Sequence, residues 1–341
     1  MGKPTVHDIA KEAGVSLATV DRVLNQRPGV RRVTVERVQA AIDKLGYVRD
    51  IYAANLARQR LYRLAFLLPT GQSQFLASLE DAVGEASRGL RAERNDLQTI
   101  RLPVDDPVAV RRGFERLISQ GVDGVALMAN ATPMVRDMIA RLKAEGVAVA
   151  AMVTDQPDTE RDHFVGIDNV AAGRTAGALM GRFLAGRSGA VLVVVNSTQA
   201  RDMVERRLGF DEVITREFPA LRALPSLEGH DDFEETYRIV SKALKDRDDI
   251  IGVYSGGAGL RGVTRAIEEG DGRDLAMIGH ELTPHSRKAL EDGVVDVIIT
   301  QNVGHIVRSA ARVLRAHLDG IGVIASQELI RIEIVMKENL H

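Results

Sequence analysis

From Arg63 onward, short apolar runs alternate with stretches of helical periodicity, and this alternation constrains the fold more than any other feature. The first runs are RLAFLLP, DLQTIRL, DGVALMA and VAVAAMV, separated by helical patterns such as the one from Leu79 to Arg91. A second series follows: HFVGI, AVLVVV, IIGVYSG and LAMIGHE. Such alternation predicts parallel sheets covered by helices on both faces. Two series predict an α/β body of two doubly wound parallel-sheet lobes.

Length and composition limit the classes of protein that remain. A chain of 341 residues is too long for one comfortable core, and its lack of cysteine excludes disulfides and thiolate metal sites. It contains no run of eighteen apolar residues, and its first residues, MGKPTVHDIAKEAG, have no apolar signal core. We therefore expect a cytoplasmic protein that has no membrane partner and needs no cofactor.

The charge is distributed unevenly along the chain. Residues 1–60 hold 11 Lys and Arg against 6 Asp and Glu, a net charge of +5, whereas the whole chain has a net charge of −2. A basic head on an acidic body indicates that the head meets a polyanion. A solvated terminal domain with incidental basic residues is the alternative.

Three short helices are predicted within this head. Thr5 and Asp8 form a variant of the capping box at the start of the first helix, and Ser16 caps the second after a break at Gly14. A third helix is expected from Thr34 to Leu45, ended by Gly46. Two short helices joined through a glycine and supported by a third are typical of a DNA-reading helix-turn-helix, with a ligand-free three-helix cap as the alternative.

The stretch TVHDIAKEAGVSLATVDRVLN resembles the DNA-binding head of the lactose-repressor (LacI/GalR) family, and the resemblance continues through the rest of the chain. It implies that the chain is a transcription regulator that binds double-stranded, pseudo-palindromic operator DNA as a homodimer. The implied fold is a small all-α helix-turn-helix head plus a body like that of periplasmic sugar-binding proteins. Its outward-facing second helix is then left for a DNA groove.

The resemblance assigns two kinds of DNA contact to the head. Leu17, Ala18 and Arg22 are expected to read bases, and a guanidinium such as that of Arg22 can bond both acceptors of a guanine. Phosphate anchors, which position the protein without specifying sequence, are expected at Thr5, Ser16, Thr19, Asn25 and Thr34. Asp21 stands where the family usually has a serine, so that its phosphate contact is lost or Asp21 pairs with a neighbouring arginine.

The segment after the third helix resembles the hinge helix of the family, which forms on DNA and inserts a leucine into the minor groove. Leu56 occupies the position of that leucine, and Ala53 and Ala57 are small enough for close contact between two hinge helices. Arg49 replaces the proline with which this segment usually begins. A plain tether is the alternative.

Polar side chains follow several of the predicted strands, where ligands bind in doubly wound sheets. These residues are Asn130, Asp155, Glu281 and Gln301, with Arg206 on the helix after VLVVVNST. Carboxylates, an amide and an arginine suit a small sugar or polyol effector, with Phe75 as an apolar wall. The resemblance places Asp155, Arg206, Glu281 and Gln301 at effector-contacting positions and Phe75 at a ring-stacking position. Glu281 stands where aspartate is commoner in the family, and capping of ordinary loops is the alternative for each residue.

The expected organisation has three parts. Residues 1–48 form the helix-turn-helix domain, 49–61 the hinge or linker, and 62–341 the two-lobed effector-binding and dimerisation domain. Lobe one is expected at about 62–159 and 291–320, and lobe two at about 160–290 and 321–341. The chain ends without a heptad pattern, so we expect dimers that do not pair further.

Two rival functions remain after the search for catalytic groups. The first is a soluble sugar-binding protein, and the second is a sugar-processing enzyme with an accessory DNA-binding head. Ser255 lacks the glycine two residues before it that a nucleophile elbow requires, and His280, His285 and His305 fit no established metal spacing. A repressor of carbohydrate-uptake or catabolic genes that releases DNA when the sugar binds is therefore the favoured function.

Overall fold

The computed structural model describes residues 4–25, 27–47, 59–71, 73–103, 106–257, 259–270 and 272–340. The chain divides into two compact units, Met1–Arg60 and Leu61–His341. We refer to them as the head and the body. The hinge positions Ala53, Leu56 and Ala57, together with Arg49, lie outside the described residues.

The described part of the head contains three helices, α1 (Val6–Ala13), α2 (Leu17–Leu24) and α3 (Arg32–Leu45). Thr5 caps α1 in a capping box with Asp8, and Gly14 ends α1 at φ 60°, a left-handed conformation that glycine adopts at little cost. The helix α3 begins at Arg32, two residues before the expected Thr34, because Arg31 already takes the extended N-cap conformation. A small apolar core joins the three helices; its fully or almost fully buried members are Ile9, Ala10, Ala13, Val20, Val38 and Ala41.

The first sheet of the body has five strands, all parallel, in the order β2-β1-β3-β4-β5. Its strands are β1 (Tyr62–Pro69), β2 (Asn95–Leu102), β3 (Gly124–Leu127), β4 (Ala148–Met152) and β5 (His163–Val165). The inner strands β3 and β4 are buried along their whole length, which is why their sequences read as continuous apolar runs. The helices between these strands are α4 (Gln74–Leu90), α5 (Pro107–Ser119) and α6 (Pro133–Ala144).

The second sheet has seven strands, and only its last strand runs antiparallel to its neighbour. Its order is β12-β11-β10-β9-β6-β7, with β8 paired to β6. The strands are β6 (Gly189–Val195), β7 (Leu221–Ala223), β8 (Leu227–Glu228), β9 (Ile250–Ser255), β10 (Ala276–His280), β11 (Val297–Thr300) and β12 (Glu333–Val335). The helices of this region are α7 (Asn169–Phe183), α8 (Arg201–Glu217), α9 (Phe233–Asp246), α10 (Leu260–Glu268), α11 (Pro284–Glu291), α12 (Val303–Asp319) and α13 (Ala325–Glu328).

Two segments join a different sheet from the one expected. The strand His163–Val165 pairs with β4 in the first sheet, although the sequence pattern assigned it to lobe two. The strand Val297–Thr300 pairs with β10 in the second sheet, although residues 291–320 were assigned to lobe one. The chain returns to the first sheet only with α12, which packs on β3, β4 and β5. Strand pairing between distant segments decides these boundaries, and the local pattern does not show it.

None of the described helices is both long and apolar enough to span a lipid bilayer. The sheets are instead covered by capped helices of mixed polarity. Ser73, Asp106 and Thr132 cap the three helices of the first lobe with side-chain hydrogen bonds, and Asp168 and Asp232 do the same for α7 and α9 in the second lobe. These caps place the helix N-termini at the carboxyl ends of the strands.

Candidate functional site

The expected base-reading face of α2 is exposed in the head. Leu17, Ala18 and Arg22 all lie on the solvent side, opposite the buried Val20, and the side chain of Leu17 is unusually open for an apolar residue at 42% exposure. The guanidinium of Arg22 makes no hydrogen bond or ion pair with any residue that the structure describes. An exposed arginine between small apolar side chains is the composition of a surface that enters a DNA groove.

The expected phosphate anchors lie at the ends of the head helices. Thr5 and Ser16 are the N-caps of α1 and α2, and the Ser16 hydroxyl lies 3.0 Å from the hydroxyl of Thr19. Thr34 lies in the first turn of α3. These hydroxyls therefore gather near helix N-termini, where backbone N–H groups also favour an anion.

Asn25 and Asp21 interact with each other in the head. The Asn25 side-chain amide donates to the Asp21 carboxylate at 2.7 Å, and Arg27 Nη1 lies 3.2 Å from the other carboxylate oxygen. Asp21 thus pairs with a neighbouring arginine, one of the two outcomes expected from the sequence. Its negative charge is partly neutralised before any phosphate approaches.

In the body, Arg206 on α8 lies at the centre of a buried network. The residue is 1% exposed, and its three guanidinium nitrogens each donate to a different acceptor. Nε donates to Asn169 Oδ1 at 2.9 Å, Nη1 to the Gly256 carbonyl at 2.8 Å, and Nη2 to Glu281 Oε1 at 3.2 Å. A guanidinium held on three sides is fixed in orientation and can position a ligand.

Glu281 and Gln301 join Arg206 from the ends of neighbouring strands. Gln301 Nε2 donates to the same Glu281 oxygen at 3.2 Å, and both residues are buried. Burial raises the pKa of Glu281, while the charge of Arg206 and the Gln301 hydrogen bond oppose that rise. The second oxygen of Glu281 and the Gln301 carbonyl oxygen find no hydrogen-bond partner among the described residues. Two buried acceptors without donors match the hydroxyl groups of a ligand.

Close packing of two helices places Arg206. A Cβ added to Gly173 on α7 would lie 1.9 Å from the Arg206 carbonyl oxygen, and one added to Gly209 on α8 would lie 2.0 Å from the carbonyl of Val170. Only glycine permits this approach of the two backbones. The small residues of α7 therefore set the depth at which the guanidinium enters the site.

Tyr254, Phe210 and His280 form a buried aromatic layer next to this network. The Tyr254 hydroxyl lies 2.9 Å from His280 Nε2, and the Tyr254 ring stacks on Phe210 with 4.5 Å between ring centroids. Burial, with a smaller contribution from the Arg206 charge, holds the pKa of His280 well below its ordinary value of 6.5. The imidazole is thus neutral beside the site.

Asp155 forms an ion pair and a backbone hydrogen bond within the first lobe. Its carboxylate forms a two-pronged pair with Arg161, at 2.5 Å to Nε and 2.8 Å to Nη2, and also accepts from the backbone N–H of Gln156 at 2.6 Å. No hydrogen bond or ion pair joins Asp155 to Arg206 among the described residues. A ligand bound by Asp155 has to share it with Arg161.

Phe75 and Asn130 are not joined to the network by any hydrogen bond among the described residues. Phe75 is half-buried in the first turn of α4 and packs against the main apolar core. Asn130 lies on the wall of an apolar cavity of about 170 Å³ that is bounded by Leu68, Phe114 and Val135, among others. Hydrogen bonds thus join Arg206, Glu281 and Gln301, whereas Phe75, Asn130 and Asp155 belong to the first lobe and are outside this hydrogen-bond network.

Asn169 connects the network to the first lobe. Its Oδ1 holds Arg206, and its Nδ2 lies 3.5 Å from the carbonyl of Val153, the residue that follows β4. Val153 itself has φ 65°, and Glu281 has φ 68°, a costly conformation for side-chain-bearing residues. The network therefore reaches a strained residue of the first lobe, directly after β4.

Three residues of this region were not identified from sequence. Asn169 and Arg161 become recognisable only through their partners, and Asp202 lies one helical turn before Arg206. The position of Asp202 on the same helix face as Arg206 is the one signal that the sequence offered.

Comparison with known proteins agrees with this architecture. Residues 64–322 match the model of the periplasmic binding protein domain, and residues 5–50 match that of bacterial regulatory proteins of the lacI family. The body and the head thus match separate family models.

Two curated relatives and one solved structure show how far the likeness extends. The regulator DegA of Bacillus subtilis is 29% identical over 51% of this chain, and the match covers 50% of DegA, so the chain spans about half the length of that relative. The regulator pepR1 of Lactobacillus delbrueckii is 24% identical over 96% of this chain and 90% of its own length. GanP, a glucose-galactose binding protein from Geobacillus stearothermophilus, superposes with a TM-score of 0.73 at 20% identity, over 82% of this chain and 99% of GanP.

Proposed function

The chain belongs to the lacI family of bacterial regulatory proteins, with a periplasmic binding protein domain as its body, and from this premise we propose that it is a transcriptional regulator whose operator binding is controlled by a small effector in the body. The observation that carries the proposal is the exposed face of α2, where Arg22 lies free of partners among the described residues, in a head of net positive charge. A small helical unit of net positive charge that exposes an arginine on one helix is typical of a DNA-binding head.

In the head, α2 enters the major groove of a pseudo-palindromic operator. Arg22 bonds a guanine edge, Leu17 and Ala18 contact thymine methyl groups, and the hydroxyl anchors hold phosphates. By the resemblance to the family, the hinge is expected to form on DNA, with Ala53 and Ala57 allowing close contact with a second copy and Leu56 entering the minor groove. One small head covers a single half-site, which supports a homodimer acting in the cytoplasm.

In the body, a small sugar or polyol binds against Arg206, Glu281 and Gln301. The arginine supplies fixed donors, and the two unpartnered oxygens of Glu281 and Gln301 accept hydroxyl protons. Asp155 and Phe75 meet the ligand from the first lobe when the lobes move together. GanP is named as a sugar-binding protein, and its fold is the one found here, which supports this ligand class.

The switch follows from differential binding to two lobe arrangements. A ligand that prefers one arrangement shifts the population toward it, and the connection from Arg206 through Asn169 to Val153 carries the change to the end of β4 in the first lobe. The expected direction is release of DNA, which makes the protein a repressor of carbohydrate-uptake or catabolic genes.

The test is an anisotropy titration of a labelled duplex. The duplex is selected by the full chain from a pool of pseudo-palindromic DNA, and the titration is run with and without D-glucose, D-galactose, D-xylose and myo-inositol. We expect tight binding that weakens steeply with salt and is relieved by one of the ligands. No selective DNA binding would contradict the proposal, and tighter binding with ligand would reverse its sign.

The two rival functions give different results in the same experiment. A sugar-binding protein without regulatory function would bind a sugar and select no DNA. An enzyme would consume the sugar, which chromatography of the mixture after incubation would show. The named relatives DegA and pepR1 are regulators, which favours a transcriptional regulator over both rival functions.

A further inference from the structure

Asp202 is a buried carboxylate to which the proposed function gives no role. It lies in the first turn of α8, one turn before Arg206 and on the same face of the helix, and it is 6% exposed. It makes no hydrogen bond or ion pair with any residue that the structure describes. By contrast, the nearby acid Glu205 on the same helix pairs with Arg201 at 2.7 Å.

The charge of the Asp202 carboxyl group affects the pKa of two other carboxyl groups, those of Glu281 and Asp231. Burial raises the pKa of Glu281 most, and repulsion from Asp202 adds to that rise. Although Asp231 is exposed as a whole residue, desolvation around its carboxyl raises its pKa, and the charge of Asp202 raises it further. The charge of Asp202 therefore acts on both Glu281 and Asp231.

The charges around this position do not balance. Asp202 repels both Asp231 and Glu281; Glu281 is bonded to Arg206, whereas Asp231 has only a hydrogen bond with Asn196 and the nearby His230 to oppose the repulsion. On the first lobe, Asp155 and Arg161 neutralise each other. The site thus has more carboxylates than arginines, and its unpartnered atoms, on Glu281 and Gln301, are acceptors.

A purely structural role explains this poorly. A carboxylate in the first turn of a helix gains from the helix dipole, but that gain needs no placement beside two further carboxyl groups. An asparagine at position 202 would also suit the first turn of α8 and would not repel the neighbouring carboxylates. Nor is the cluster a metal site, because no three His, Cys, Asp or Glu side chains among the described residues converge to hold an ion.

We propose that Asp202 binds a positively charged nitrogen of the effector, so that the ligand is an amino sugar or another polyol bearing an amine. This rests on the proposed function of the body. The ammonium group lies between Asp202 and Asp231, and the hydroxyls of the same ligand bond Glu281 and Gln301. The ligand then supplies the partner that the folded chain lacks.

The first experiment compares matched ligands by isothermal titration of the full chain. The pairs are D-glucosamine with D-glucose, D-galactosamine with D-galactose, and D-mannosamine with D-mannose, at about pH 6.5, below the ordinary pKa of such amines. In at least one pair we expect the amino sugar to bind about tenfold or more tightly than its neutral partner, as for a charge pair out of water. That preference should vanish in Asp202→Asn and persist in the control Glu234→Gln, an exposed acid in the first turn of α9.

Two results would overturn the inference. If neutral sugars bind as tightly as amino sugars, or if the preference survives in Asp202→Asn, then Asp202 does not bind the amine. The proposed function as a sugar-responsive regulator is unaffected by that result. If no member of any pair binds while the operator is still recognised, the sugar effector itself fails, and this inference fails with it.

The second experiment needs no ligand. Because Asp202 is unpartnered and repelled by its neighbours, Asp202→Asn should raise the Tm of the ligand-free chain. Glu234→Gln reports the loss of an exposed helix-end charge together with its 3.6 Å surface pair with Arg265, and should leave the Tm unchanged or lower it. A fall in Tm with Asp202→Asn, equal to or larger than that with Glu234→Gln, would assign Asp202 to the helix end and overturn the proposal.

Discussion

The backbone N–H of His285 donates a hydrogen bond of 3.2 Å to Oε1 of Gln74. Gln74 begins α4 at the end of β1 in the first sheet, and His285 lies in the first turn of α11, after β10 of the second sheet. The carboxyl ends of the two sheets are thus directly bonded. The same ends carry the network of Arg206, Glu281 and Gln301.

Gln74→Ala should loosen this link between the lobes. A single hydrogen bond contributes about 0.5–1.5 kcal/mol, so the affinity for a ligand that needs closed lobes should fall about 2- to 10-fold. Small-angle scattering of the ligand-free variant should show a larger radius of gyration. Gln120→Ala, at an exposed helix end of the first lobe, is the control, and an equal effect in both variants would contradict the role of the link.

Arg206→Ala should abolish the response to ligand and leave operator binding without ligand intact, because the arginine belongs to the body network. It leaves Glu281 buried without its partner, so the unfolding free energy should also fall by about 3–5 kcal/mol. The double variant Arg206→Met with Glu281→Gln removes both charges and keeps the chain folded for the same test.

Operator anisotropy over a ligand titration measures the response of these variants. Arg174→Ala, which breaks an exposed pair with Glu212, should respond like the wild type. A folded Arg206 variant that still releases DNA with ligand would remove this arginine from the effector site.

Arg22→Ala should weaken specific operator binding by about 1–3 kcal/mol, the value of a two-pronged contact to guanine, and leave non-specific binding nearly unchanged. Competition with the selected duplex and with random duplex DNA separates the two affinities. Arg32→Ala is the control, because that side chain is 92% exposed and paired only with Glu36. Retention of specific affinity in Arg22→Ala would refute the groove assignment.

Gly209→Ala should destabilise the body, because its new methyl group would overlap the Val170 carbonyl. Overpacking of this kind costs about 1–3 kcal/mol, and the displaced α8 should also weaken ligand binding. Gly89→Ala makes the same change in α4, where no atom lies within 4 Å of the added Cβ, and should stabilise by about 0.5–1 kcal/mol. Urea unfolding measures both, and equal effects would show that α7 and α8 can separate freely.

The stability of the body should fall as the pH drops below 6.5, the ordinary pKa of histidine. Burial depresses the pKa of His280 in the folded state, so below that value the unfolded chain takes up a proton that the folded chain does not. The loss grows until the pH reaches the lowered pKa, with a slope of at most about 1.4 kcal/mol per pH unit for one proton. His163 and His285, whose pKa values burial also lowers, contribute with the same sign.

The variant His280→Gln isolates the contribution of this residue. Glutamine can still bond the Tyr254 hydroxyl but does not titrate, so urea unfolding between about pH 7.5 and 5 should show a flatter decline than in the wild type. An unchanged slope would show that His280 takes up its proton without unfolding.

Much of the local structure follows from the sequence alone. The caps at Thr5 and Ser16, the glycine ends of the head helices and the outward position of Arg22 depend on neighbouring residues, as do the buried strands of the first sheet. Each depends on interactions within a few residues along the chain, and residue type and periodicity record those interactions. The head and the two-sheet body were for this reason predictable.

Only the tertiary structure decided which sheet each strand joins and which polar groups meet. Arg206 and Glu281 are 75 residues apart, and Gln74 and His285 are 211 apart, so no local pattern records these contacts. The same holds for the strands His163–Val165 and Val297–Thr300, whose pairing partners lie elsewhere in the chain. Asp155 pairs with the nearby Arg161, and Asp202 has no partner among the residues that the structure describes, because burial and pairing depend on how distant segments pack.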